Sequence, residues 1–189
     1  SYGYKIGDSG YRWHCIDARS FGSYSTYDMP SNGFIYIEDD VWVDGTVNGR
    51  ATIGAKRDSS DKSIYIHGNI NYLAKDGEHV LGLIASDSIA VPYNSPDVLN
   101  VDAAMLAQNG SVQRYLYWGN NKIRITTYGS VISRDVWTWS WVDGGDPPNL
   151  ISGYDETVST YDTNLTYGPP PGFPVGNEYN LLSWEEGEY

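Results

Sequence analysis

Residues 35–43 read IYIEDDVWV, with apolar side chains at alternate positions on either side of three acids. The same frame fits IYIHGNINY at 64–72, LIASDSIAV at 83–91, LAQNGSVQR at 106–114 and ITTYGSVIS at 125–133. One apolar column runs Ile35, Ile64, Leu83, Leu106, Ile125, and a second runs Val41, Ile70, Ile89, Val112, Val131. Between the columns sits a triplet rich in turn formers, such as Glu38-Asp39-Asp40, Ser86-Asp87-Ser88 and Asn109-Gly110-Ser111. Alternation with period two places each column on one face of a short strand.

A constant strand–turn–strand core at irregular spacing predicts an all-β fold: a single-stranded parallel β-helix, or β-solenoid, with longer loops leaving the coil. An antiparallel β-sandwich is the competing architecture, because its strands alternate in the same way. The rungs are expected over 34–134. Residues 1–33 then form an N-terminal cap, and 135–189 form an acidic C-terminal cap and arm rich in aromatic residues and proline. Within that arm, YGPPPGFP at 167–174 predicts an extended proline segment lying along the surface with aromatic neighbours.

Composition supports the β reading. Tyr (17), Trp (7) and Gly (21) are abundant in 189 residues, the balance of a strand-and-turn protein. The single cysteine, Cys15, excludes an internal disulfide framework. A formal charge of −12 argues against nucleic acid and anionic membrane as partners. The charge is uneven, since no Lys or Arg follows Arg134. No stretch is apolar and long enough to cross a bilayer.

Candidate chemistry is sparse. Asp39 and Asp40 occupy a turn triplet, and acids are what tight turns select. With Asp44 they are the one cluster that could hold a single calcium; otherwise no cofactor is expected. A carboxylate pair such as Asp87 with Asp102 could serve acid–base chemistry, but nothing in the pattern marks it. His14 beside Cys15 resembles a base and nucleophile only by adjacency. No nucleophile elbow, phosphate loop or zinc spacing is present, so catalysis is not expected. VWTWSWV at 136–142 puts Trp137, Trp139 and Trp141 on one face of a strand, either covering the end of the coil or forming a platform for sugar rings. Asn109 and Asn164 begin glycosylation sequons.

The segments NGFIYIEDDVWVDGTVNGRATI, VLGLIASDSIAVPYNSPDVLNVDAAMLAQNGSV and ITTYGSVIS, with the closing YDTNLTYGPPPGFP and YNLLSWEE, resemble the extracellular β-rich domain of bacterial PilX-like pilus-assembly proteins. The resemblance spans roughly residues 32–186; no counterpart of that family's membrane helix lies in these 189 residues. It implies an exported, non-catalytic structural or adhesive domain at the bacterial cell surface. Its partners would then be pilus or surface subunits, or further copies of itself in a filament. A glycan-binding or polysaccharide-acting β-helix protein is the alternative.

Overall fold

The computed structural model describes residues 25–174, together with two short strands near the start, β1 (Gly3–Tyr4) and β2 (His14–Cys15), which pair antiparallel. The rest of the expected N-terminal cap and residues 175–189 of the arm lie outside the described residues, as do the side chains of His14 and Cys15.

From Phe34 onward the chain winds as a parallel β-solenoid of about four turns, as the alternation predicts. Each turn presents three sides. The first side stacks β3 (Phe34–Ile37), β5 (Arg50–Arg57) and β8 (Val80–Ala85), then the closing halves of β10 (Val98–Ala107) and β12 (Asn121–Ser133). The second side stacks the openings of β4 (Val41–Val47) and β7 (Ile64–Tyr72), then β9 (Ile89–Val91), β11 (Val112–Arg114) and β13 (Trp137–Thr138). The third side stacks the ends of β4 and β7, the first halves of β10 and β12, and β15 (Leu150–Tyr161). A short β14 (Ser140–Val142) returns antiparallel onto the start of β15, and β6 (Ser60–Asp61) closes a small hairpin on β5.

Inward side chains form continuous ladders. Ile35, Ile53, Leu83, Met105 and Val131 stack on the first side; Val41, Ile64, Ile89, Val112 and Trp137 stack on the second. Leu83, Ile64, Ile89 and Val112 are fully buried. Each such aliphatic side chain contributes about 1.5–3 kcal/mol of transfer free energy.

These ladders correct the two columns expected from the sequence. Ile35 stacks with Leu83 as expected, but its neighbour is Ile53 of β5, and Ile64 belongs to the second side with Val41 and Ile89. The coil has three sides where the sequence frame has two strands. The triplets His67-Gly68-Asn69 and Tyr128-Gly129-Ser130 lie inside β7 and β12, not at the acidic corner. The coil also continues past 134, because β13 and β15 complete a further rung.

β12 carries the chain from the third side to the first without a break, and Gly129 permits it. Its φ is +146°, and a Cβ there would fall 1.9 Å from the Ala103 carbonyl oxygen.

After β15, Asp162 caps a 3-10 helix, Thr163–Thr166, through a hydrogen bond accepted from the Asn164 N–H. The proline run then crosses the outside of the first side toward the first rung. Leu165 and Phe173 are buried there against Val80 and Ala104. The strap lies so close that a Cβ on Gly82 would sit 2.9 Å from Phe173 and 3.0 Å from Pro170. The arm expected along the surface is therefore the outer wall of a second, smaller core.

Candidate functional site

The acidic corner between the first and second sides is a stack of turns. The Asp40 carboxylate accepts from Ser63 N–H at 2.9 Å, and Ser111 N–H donates to the Ser88 hydroxyl at 3.1 Å. Asp87 accepts from the hydroxyls of Ser63 and Ser88, both at 3.2 Å. Asp39 pairs with Lys62 at 3.0 Å, and that ammonium group holds its carboxyl below the ordinary range. Asp44 instead points along β4 to His67, 3.6 Å away. The three residues considered for calcium thus have three different partners. Among the described residues no group of three or more His, Cys, Asp and Glu converges as a metal set.

Asp87 and Asp102 are not brought together as a carboxylate pair. Asp102 is buried at the opposite corner, where it meets Lys75 Nζ at 2.9 Å and accepts from Tyr72 N–H at 3.0 Å. Lys75 lies 4.1 Å over the Tyr128 ring, and the Tyr128 hydroxyl donates to Asp162 at 2.9 Å. Burial, then the Asp162 contact, pushes the Tyr128 hydroxyl up to about 12. A phenol held that firmly protonated is a poor general base, and this cluster is a lock joining the second, third, fourth and last rungs. No sequence signal could have found it, because its members are distant along the chain and share no motif.

The three tryptophans do not form one platform. The strand breaks between β13 and β14, where the Thr138 hydroxyl donates to the Ser140 carbonyl at 2.7 Å. Trp139 turns into the core, 2% exposed, while Trp137 is 50% exposed. Trp141 is half-buried, with its indole N–H donating to the Arg114 carbonyl at 2.8 Å. The expectation of a shared face assumed an unbroken strand. Asn109 is exposed in its turn, its amide bonded to Asp61 and Arg134. Asn164 is half-buried, with its amide nitrogen donating to Asp162 at 3.0 Å.

The ends of the coil are its most distinctive surfaces. On the last rung, β14 covers only residues 150–153 of β15, so the outer edge over 155–161 takes no strand partner among the described residues. Those seven residues are all exposed and include neither Lys nor Pro. Beside this edge the interior opens into a cavity of about 320 Å³ floored by Met105 and Val131. Trp137 and Tyr161 flank it, and Thr127 and Ser159, hydrogen-bonded to each other at 2.8 Å, supply hydroxyls. At the first rung a second opening of about 290 Å³ exposes Ile35, Val43, Val47 and Ile53 beneath Met29.

No family model matches the chain, and no curated protein or solved structure matches it.

Proposed function

We propose that this chain is a non-catalytic structural module that joins others of its kind end to end, at the outside of a bacterial cell. The observation that carries this reading is the unpartnered edge of β15. A run of seven exposed residues without Lys or Pro is a template for an added strand. The first rung offers the complementary piece, because β4 takes no outer strand partner among the described residues and runs parallel to the rungs after it. Apolar floors at both openings gain burial if one coil continues into the next. The resemblance of its segments to the exported domain of PilX-like proteins supports the cell-surface location and a filament or pilus context.

Thr46 and Thr160 occupy the same outward column, the first at the start of the coil and the second at its end. In a continuing coil they become neighbours at strand spacing, ~4.8 Å, within reach of a disulfide. With Cys15→Ser as background, Thr46→Cys and Thr160→Cys are expected to cross-link when mixed and not when separate. Cross-linking of Thr160→Cys with itself would indicate a two-fold contact, and no cross-link at all would overturn the proposal.

One observation favours a second reading, glycan binding at the end cavity. Trp137 and Tyr161 are 50% and 56% exposed and stand on either side of the Thr127 and Ser159 hydroxyls, an arrangement suited to a sugar ring. Saturable change in Trp137 fluorescence with oligosaccharides, lost in Trp137→Phe, would favour it over assembly.

A further inference from the structure

Three asparagines of the chain precede a glycine: Asn32, Asn48 and Asn109. Such a pair can cyclise, because a glycine without a Cβ leaves its backbone nitrogen open to the preceding side chain. The fold treats the three pairs differently. Asn32 Oδ1 accepts from Phe34 N–H at 3.0 Å, and Gly33 N–H donates to the Pro30 carbonyl at 2.8 Å. The Asn109 carboxamide is held at both ends, by Asp61 and Arg134, and Gly110 packs against Ser88 and Asp87. Asn48 is exposed, and its carboxamide takes no hydrogen-bond partner among the described residues. With Gly49 it forms the two-residue corner between β4 and β5. There Gly49 N–H donates to His79 Nδ1 at 2.8 Å, and the Gly49 carbonyl accepts from Val80 N–H at 3.0 Å. An imidazole that accepts at Nδ1 is the neutral tautomer with its proton on Nε2. Gly49 has a φ of +101°, and nothing lies within 4 Å of the place its Cβ would take.

We propose that Asn48-Gly49 is a site of self-catalysed deamidation, with His79 as its general base. His79 Nδ1 takes the proton of Gly49 N–H as that nitrogen bonds to Asn48 Cγ. The proton passes on to Asn48 Nδ2, the Cγ–Nδ2 bond breaks, and ammonia leaves behind a cyclic succinimide. Water then opens the ring at either carbonyl, to aspartate or to isoaspartate. The N–H bond lies in the peptide plane, so His79 draws the proton from the side while the faces of the nitrogen stay open to Cγ. Isoaspartate lengthens the main chain of the corner by a methylene group. Either product adds a carboxylate to the wall of the first-rung opening, of which Asn48 is part. That opening is the face proposed above to receive another coil, but the chemistry does not depend on that reading.

The test is peptide mapping by mass spectrometry of the full chain aged at neutral pH, with isoaspartate told from aspartate by its separate elution. Asn48 is expected to convert about tenfold faster than Asn32 or Asn109, to both products. The three rates should converge when the chain is aged in urea. His79→Gln keeps an acceptor for Gly49 N–H but cannot carry the proton, and should bring Asn48 down to the rate of the other two. A corner merely loosened by the substitution would convert faster, so a fall in rate does not come from misfolding. In His79→Gly, added imidazole should raise the rate at Asn48 and leave Asn109 unchanged. Conversion of Asn48 no faster than the others, a rate indifferent to His79→Gln, no response to imidazole, or aspartate as the sole product would each overturn the proposal.

Discussion

The guanidinium of Arg50 donates to the Pro169 carbonyl at 2.6 Å, joining the second rung to a strap 119 residues further along the chain. The same side chain reaches the carbonyls of Gly168 at 2.7 Å and Gly77 at 2.6 Å, so it closes three backbone acceptors that the strap would otherwise leave bare. Only a planar fork of donors can span them together.

Removing that fork should loosen the strap. Arg50→Ala is expected to lower unfolding free energy by about 2 kcal/mol, the scale of hydrogen bonds to a charged group at a half-buried site. Arg50→Lys should recover less than half of the loss. Urea midpoints measure both, and limited proteolysis between 167 and 174 should accelerate in the same order.

Gly129 is the corner on which β12 turns. An added Cβ would overlap the Ala103 backbone, and the φ of +146° is itself unfavourable for any other residue. Gly129→Ala should cost about 3 kcal/mol or more. Gly144→Ala, in an exposed loop with nothing within 4 Å of the added carbon, should be near neutral. Thermal unfolding of the pair checks the contrast.

Stability should fall in alkali. Tyr154 is buried, its hydroxyl 2.9 Å from the Pro96 carbonyl and 3.0 Å from Ser95, and burial pushes it up to about 12. Burial likewise raises Tyr72 far above its ordinary 10. A phenol whose folded value exceeds its unfolded value binds more protons when folded. Its stabilisation is complete below pH ~10 and is lost as pH rises through the folded value. For Tyr154 the loss is on the order of 2–3 kcal/mol. Denaturant midpoints between pH 9 and 12 should drop for the wild type, and Tyr154→Phe should flatten part of that slope.

The β-solenoid is legible in the sequence because strands half-buried on a parallel stack still alternate. Val41, Ile89 and Val112 keep their column for that reason. The first side is harder to read. In RATIGAKR, the outward positions Thr52 and Gly54 and the inward Ala51 and Ala55 carry little apolar contrast. In VLNVDAAMLA the strap buries Ala104 from outside while the core buries Met105 from inside, so the alternation vanishes and Leu106 mimics the inward residue. The strap itself is visible as an extended proline segment. Its anchor is not, because the contact from Arg50 to Pro169 joins positions whose proximity only the fold creates. At the candidate site, Trp137 stands out from its motif, whereas the open edge of β15 depends on where β14 stops pairing.

Association through the last rung is the central claim, and a net charge of −12 opposes it at low ionic strength. Ser159 faces inward at the open end and is exposed, so Ser159→Lys sets an ammonium group where the next rung would stack, at the loss of the one hydrogen bond that the Ser159 hydroxyl accepts from Thr127 at 2.8 Å. Sedimentation velocity over a concentration series, at low and at high salt, measures the outcome directly. The account predicts head-to-tail oligomers of the wild type that grow with concentration and with salt, and a monomer for Ser159→Lys under every condition. A wild type that stays monomeric throughout, or a Ser159→Lys variant that associates equally well, would contradict it.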